Sequence, residues 1–167
     1  MRYLFRNRLK SWRIILSVGR VTDVMGINSE LKNGKHVIMW EFDETKWEIV
    51  ESALKLIQSE QGLSTIYVAR SHDGGGFHAY CLLATSWVRS IHIVSGTLMV
   101  DPGYINMCAM RGHWTLRLTD KGLGAPKHYT QLFSAVKETA SITDLKSYVK
   151  YEAYKSKRIF GWGKRGI

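Results

Sequence analysis

The sequence lacks any long apolar run, and this absence excludes several classes of protein. No stretch of about 18 apolar residues, the length that a membrane-spanning helix needs, occurs in the 167-residue chain. The longest uncharged stretch near the start, residues 14–19, is too short for the core of a signal peptide. We therefore expect no membrane partner and a cytoplasmic location, in the host cytoplasm if the chain is viral.

Cysteine is also scarce, since the chain has only Cys81 and Cys108, each inside an apolar stretch. Thiols placed in this way are predicted to be buried and reduced. A zinc site of four thiolates is excluded because two thiols are too few. Internal repeats and low-complexity linkers are lacking too, and the length predicts a single domain over residues 1–167.

Acidic residues are outnumbered, with 14 Asp and Glu against 24 Lys and Arg, and the formal net charge is +10. Such a surplus favours nucleic acid as partner, because neutralised phosphates release their counterions; an anionic membrane surface is the competitor. A basic N-terminal arm (residues 1–13) with interleaved aromatic residues suits base stacking, although a solvated strand explains it equally well. A basic C-terminal tail spans residues 155–167. The candidate nucleic-acid-binding residues are Arg6, Arg8, Arg13, Arg111, Lys157 and Arg158.

Local patterns predict an α+β fold in which helices pack on a mostly antiparallel sheet. The Asn33-Gly34 turn leads into an apolar strand over residues 35–43. A capping-box pattern at residues 45–48 begins a helix that Gly62 ends. The other predicted strands lie near residues 14–24, 64–69, 77–83, 113–119 and 128–133. Further helices are predicted near residues 86–94, 103–110 and 142–154, the last capped by Ser141 or Thr143, with an irregular crossing as the alternative for 103–110.

Acidic residues at three positions are candidate metal ligands. Glu41 and Asp43 lie two apart on a predicted strand, so their side chains leave the same face and can converge on a hard cation. A solvated strand edge is the simpler explanation of the pair. Asp101 follows an apolar run and is the candidate third carboxylate, although Pro102 after it also permits a plain turn.

Three segments, in the same order along the chain, resemble the motifs of archaeo-eukaryotic primases. Residues 38–43 resemble the first motif, a hydrophobic strand with two acidic residues at alternate positions. Residues 71–78 are similar to the second motif, a serine and glycines that lead to a histidine. Asp101 and the basic segment behind it, residues 111–122, are similar to the third motif. The resemblance spans residues 35–122.

The resemblance implies a primase-polymerase-like (RRM-like) core and metal-dependent nucleotidyl transfer on a nucleic-acid template, in the replication of a virus or plasmid. Two divalent cations, Mg²⁺ or Mn²⁺, would be held by Glu41, Asp43 and Asp101. The implied partners are single-stranded or primed nucleic acid, nucleoside triphosphates and a separate helicase. The residues implied in nucleotide binding are Ser71, His78, Arg117 and Lys121.

The sequence departs from the family pattern at three places. Glu41 stands where aspartate is usual, and Arg117 stands where many members have histidine. Ser71 lies two residues farther from His78 than is usual, which leaves Asp73 as the alternative match.

Three other functions therefore remain open. The first is a catalytically inactive nucleic-acid-binding protein on the same fold. The second is a rolling-circle initiator nuclease, for which His78 and His92 offer single histidines instead of the required pair. The third is a basic structural protein without chemistry.

Overall fold

The computed structural model describes residues 2–9, 12–19, 21–72, 75–119, 125–153 and 156–158, with side chains described over residues 24–71, 75–119 and 125–148. Two compact units make up the chain, one of Met1–Val24 with Lys150–Ile167 and the other of Met25–Val149. The single domain expected over residues 1–167 stays a prediction.

The first unit contains a small three-stranded sheet. Strand β1 (Arg2–Leu9) pairs antiparallel with β2 (Trp12–Gly19), and the short β10 (Ser156–Arg158) pairs parallel with β1. Arg8 stands opposite Arg13 in the β1–β2 register. The backbone of the predicted N-terminal arm is therefore paired strand over most of its length.

The second unit is α+β, with helices and a mostly antiparallel seven-stranded sheet, which confirms the predicted class. The strand order is β7-β3-β4-β6-β5-β8, and β9 pairs with β3. The strands are β3 (Val21–Leu31), β4 (His36–Asp43), β5 (Ile66–His72), β6 (Gly76–Thr85), β7 (Thr115–Arg117), β8 (Lys127–Leu132) and β9 (Leu145–Ala153). The helices are α1 (Trp47–Gln61), α2 (Trp87–Gly96) and α3 (Pro102–Arg111).

Helix α1 begins and ends near the predicted residues, but its cap differs from the prediction. Val50, Leu54 and Ile57 recur at helical spacing and are buried, and Gly62 ends the helix with a left-handed φ of 58°. The capping box predicted at residues 45–48 is wrong. Lys46 is the N-cap and makes no side-chain cap bond, while the Thr45 hydroxyl donates to the Asp43 carbonyl instead.

The helix predicted over residues 142–154 is wrong. A single 3₁₀ turn, Ile142–Asp144, is followed directly by β9. The predicted Ser141 cap is present, and Asp144 completes a capping box with it, but the box caps one turn only. Pairing of β9 with β3 overrides the local signal, and the Tyr148 ring packs so tightly on Gly26 that an added Cβ would lie 2.4 Å from it.

Two tryptophans anchor the core, and both have a bound indole N–H. Trp40 donates to the Thr97 hydroxyl at 3.0 Å, and Trp114 donates to the Ser90 hydroxyl at 2.5 Å, with all four side chains buried. A buried donor without an acceptor would cost about 1–3 kcal/mol. Both cysteines are free and buried, as the sequence predicts.

One edge of β4 is closed by α3 instead of by a strand, and this positions the candidate site. β3 pairs with β4 at Glu30 and His36. Farther along β4, the Met39 carbonyl accepts from the Tyr104 hydroxyl at 3.3 Å, and the Glu41 carbonyl accepts from the Asp101 amide at 3.0 Å. The start of α3 is thereby fixed beside the acidic end of β4.

Candidate functional site

Glu41 and His78 face each other across neighbouring strands. They are register partners on β4 and β6, and His78 Nε2 lies 3.5 Å from Glu41 Oε1. The His78 side chain is 4% exposed, whereas the Glu41 side chain is 30% exposed. The imidazole is therefore held within the protein, while the carboxylate can still reach a ligand from solvent.

Asp43 lies at the open end of the same strand. Its side chain is exposed, and it pairs with Gly76, which in turn pairs with His72 on β5. Because side chains alternate along a strand, Asp43 leaves the same face as Glu41. The structure thus agrees with the expected common face of the acidic pair.

Asp101 comes next to Glu41 although the two are far apart along the chain. Its carboxylate is the N-cap of α3: Oδ1 accepts from the Gly103 amide at 3.0 Å and Oδ2 from the Tyr104 amide at 2.8 Å. A carboxylate accepts about four hydrogen bonds, so capping leaves lone pairs on both oxygens. Asp101 therefore has a structural role that the sequence prediction did not include.

The Arg117 side chain reaches from β7 to β5, another strand of the same sheet. From β7 its Nη2 donates to the Ser71 carbonyl on β5 at 3.1 Å, and its Nη1 donates to the Thr119 carbonyl. Ser71 directly precedes His72, whose row contains Gly76 and Asp43. A guanidinium is thus fixed near the strand end that carries the acidic residues.

Ser71 has the least satisfied polar side chain of this region. It lies at a register shift in β5, it is 3% exposed, and its Oγ has no hydrogen-bond partner within the described residues. An unpaired buried hydroxyl is costly and therefore calls for an explanation, of which a bound ligand is one. The hydroxyl is therefore a candidate donor to a bound oxyanion, as the resemblance implies.

The acidic residues form an oxygen-rich donor set, and oxygen donors suit Mg²⁺ or Mn²⁺. Among the described residues, however, no three His, Cys, Asp or Glu side chains are arranged as a ready metal centre. Glu41 and Asp43 fit a hard cation by chemistry and common face, while the Asp101 carboxylate is turned towards its own helix. Metal binding at this site stays a prediction.

Two tyrosines that the sequence analysis missed lie close to the acidic site. Burial raises the pKa of Tyr104 well above its usual value, and Cys108 and the Glu41 carboxylate add to the effect. Burial also raises the pKa of Tyr148, while a hydrogen bond with Thr115 and the charge of Arg111 lower it and Glu41 raises it slightly. No sequence signal pointed to Tyr148, because a helix was predicted there.

The remaining predicted site residues are placed only in part. Arg111 is exposed in the last turn of α3. Lys121 and Asp73 lie outside the described residues. The structure describes only the backbone of five basic residues, which lies in strands of the small sheet: Arg6, Arg8, Arg13, Lys157 and Arg158.

Histidine placement bears on the rolling-circle alternative. His78 lies on β6, whereas His92 is exposed on helix α2. The two candidate histidines do not share a strand, so the paired arrangement that this nuclease class needs is not formed by them.

Comparisons with known proteins identify no relative of this chain. No protein-family model matches the chain, and neither a curated protein nor a solved structure matches it. Among the helices that the structure describes, none has both the length and the apolar character needed to span a bilayer. The resemblance to archaeo-eukaryotic primases stays a prediction that depends on the residues themselves.

Proposed function

We propose that this chain is a metal-dependent nucleotidyl transferase that acts on single-stranded or primed nucleic acid, with a primase-polymerase-like core. One observation supports the proposal: the Asp101 amide donates to the Glu41 carbonyl, which brings the backbones of two distant acidic segments together, and the Glu41 side chain faces His78.

Residue roles follow from position and charge. Glu41 and Asp43, with the remaining lone pairs of Asp101, would hold Mg²⁺ or Mn²⁺, which supplies charge stabilisation and activates the attacking hydroxyl. Asp101 would keep its cap bonds, so the more accessible oxygens would come from the partly exposed Glu41 and the exposed Asp43.

The phosphate-binding side of the site consists of Arg117, the Ser71 hydroxyl and His78. The Arg117 guanidinium is pre-positioned by its bonds to two carbonyls and places positive charge near developing phosphate charge. The Ser71 hydroxyl, which has no hydrogen-bond partner among the described residues, would donate to the bound phosphate. A bound cation would offset the repulsion between a triphosphate held by these residues and the acidic strand end.

A second function is favoured by a specific observation. The Asp101 carboxylate already accepts hydrogen bonds from two backbone amides. A carboxylate used for helix capping is what a non-catalytic nucleic-acid-binding protein on the same fold would show. The net charge of +10 supports binding in either case.

The experiment that separates the two functions is extension of a primed template in Mn²⁺ or Mg²⁺, with the oligonucleotide affinity of each variant measured in parallel. Asp43→Asn should lose more than about 100-fold in extension, since even outer-shell groups of metal sites contribute about 10- to 100-fold. Its affinity for the template should be retained. Glu51→Gln, which removes an acid from the outer side of α1, is the matched control and should extend normally. A wild-type chain that binds but never extends would leave the second function standing.

A further inference from the structure

A groove on the other side of the sheet from Glu41 and His78 has a lining that the proposed chemistry does not use. It has a volume of about 690 Å³ and lies between the start of α1 and strands β5, β6 and β8. Phe77 lines it and directly precedes His78 on β6, so the two side chains leave opposite faces. Glu44 and Thr45, which follow Asp43, line its near end.

Three aromatic rings form one wall of the groove. Tyr129 packs edge-on against Trp47 and Phe77, with centroid distances of 4.9 and 5.3 Å. Phe77 is buried, but Tyr129 is 40% exposed and Trp47 is half-buried. Tyr129 and Trp47 are therefore partly open to solvent, with the Arg70 guanidinium over the Tyr129 and Phe77 rings, and the uncovered part of these rings offers a stacking surface.

Charged side chains complete the lining. The Arg70 guanidinium carbon lies 5.7 Å from the Tyr129 ring centroid, and Lys46 lies at the start of α1. Both cations are exposed. Glu44 and Glu48 lie in the same connection as Lys46, so the groove offers both signs of charge next to aromatic rings.

This combination fits one nucleotide of a single strand better than it fits a purely anionic or purely apolar ligand. A nucleotide has a flat base for the rings, a phosphate for Arg70 and Lys46, and base amino groups for the carboxylates. The volume lies within the range of about 300–1,000 Å³ that is usual for small-molecule sites. Double-stranded nucleic acid keeps its bases stacked on each other and cannot use the rings.

We propose that the groove formed by Trp47, Tyr129 and Arg70 binds an unpaired nucleotide of a single-stranded nucleic acid by stacking its base on the aromatic rings. The proposal deepens the proposed function, on which it rests for its substrate class. Glu44 and Thr45, which follow Asp43, line the groove, so a strand held here would lie near the end of β4, on the opposite face of the sheet from Glu41 and His78.

The test is fluorescence anisotropy with a labelled single-stranded oligonucleotide of about 16 nucleotides, a length that covers one binding site, in chelator and without nucleotides. Tyr129→Leu keeps bulk but removes the ring and should weaken binding about 5- to 150-fold, the effect of losing one stacked base. Tyr129→Phe keeps the ring and should bind like the wild type. Arg70→Gln should lower the salt dependence by about one phosphate contact. Lys55→Gln, an equal charge change on the exposed side of α1, should not.

A second measurement uses the wild-type chain, so its result does not depend on whether a variant folds. The wild-type chain is photo-crosslinked to an oligonucleotide that contains 5-bromouracil, and the peptides are mapped by mass spectrometry. Crosslinks at Trp47 or Tyr129 support the groove. Crosslinks confined to other peptides, with Tyr129→Leu binding like the wild type, would overturn it.

The outcome also separates this proposal from the proposed function. Binding in chelator requires no metal, so loss of binding in Tyr129→Leu supports the groove even where no extension is ever detected. Extension by a chain whose Tyr129→Leu variant binds normally would instead support the enzyme and exclude the groove.

Discussion

The amide nitrogen of Asp101 lies 3.0 Å from the carbonyl oxygen of Glu41, so the start of α3 is bonded to the acidic strand β4. This bond does not involve either carboxylate. The two residues can therefore stay together in variants that change only their side chains, and the structural and chemical roles of Asp101 can be separated by substitution.

Asp101→Asn separates these two roles. Asparagine caps helices about as well as aspartate, so the free energy of unfolding should fall by less than about 1 kcal/mol. Asp101→Ala removes the cap and should cost about 0.5–2 kcal/mol in chemical denaturation. If Asp101 also holds metal, both variants lose primer extension. Full extension by Asp101→Asn would restrict the residue to capping.

Ser71→Ala tests the buried hydroxyl that has no partner among the described residues. Because such a group costs about 1–3 kcal/mol, its removal should raise the free energy of unfolding of the nucleotide-free chain by about 1 kcal/mol or more. The same change should raise the KM for nucleoside triphosphate in the extension assay. Ser52→Ala, on the outer side of α1, is the control and should change neither quantity. A destabilised Ser71→Ala variant would mean that the hydroxyl has a partner.

Ser90→Ala should destabilise the core. It removes the acceptor of the buried Trp114 indole N–H and should cost about 1–3 kcal/mol in the free energy of unfolding. Ser95 lies on the same helix but is exposed, and Ser95→Ala should change stability by less than about 0.5 kcal/mol. Equal denaturation midpoints for the two variants would contradict the importance of the Trp114 bond.

His36 should make stability depend on pH. Burial lowers the pKa of His36 below its ordinary value of 6.5, and Glu30 opposes the change. The unfolded chain then binds more protons than the folded chain, so this contribution to stability is present above about pH 6.5 and falls as the pH drops towards the lowered pKa. Melting temperatures between about pH 5.5 and 7 should fall less steeply in His36→Gln. An NMR midpoint of His36 above 6.5 would contradict the prediction.

Local sequence patterns predicted correctly those helices and strands whose local signals agree with their packing in the folded chain. Strand β4 was expected because an Asn-Gly turn precedes a bulky apolar run, and α1 because its apolar residues recur at helical spacing. Where long-range pairing decided the structure, local patterns failed. The Ser141 capping box was present, but β9 pairs with β3 and stops the helix after one turn.

The candidate site was predictable in its residue types but not in its contacts. The alternating acids on β4 and a histidine after the glycine run were visible in the sequence, and the structure places Glu41 against His78. The cap formed by Asp101 was also readable, since Asp at the N-cap followed by Pro at the first helical position is a common helix start, but it was not predicted. The aromatic groove was not predictable, because Trp47, Phe77 and Tyr129 come from three separate elements.

The closure of the β4 edge by α3 has a consequence for self-association. An open strand edge can pair with strands of other molecules, and β4 contains the apolar run Val37–Trp40, which would favour aggregation if it were uncovered. The Tyr104 hydroxyl and the Asp101 amide occupy the carbonyls of Met39 and Glu41. Loss of α3 packing would therefore expose unpaired backbone groups along this edge of β4. Fibril formation by a destabilised chain should begin at this strand.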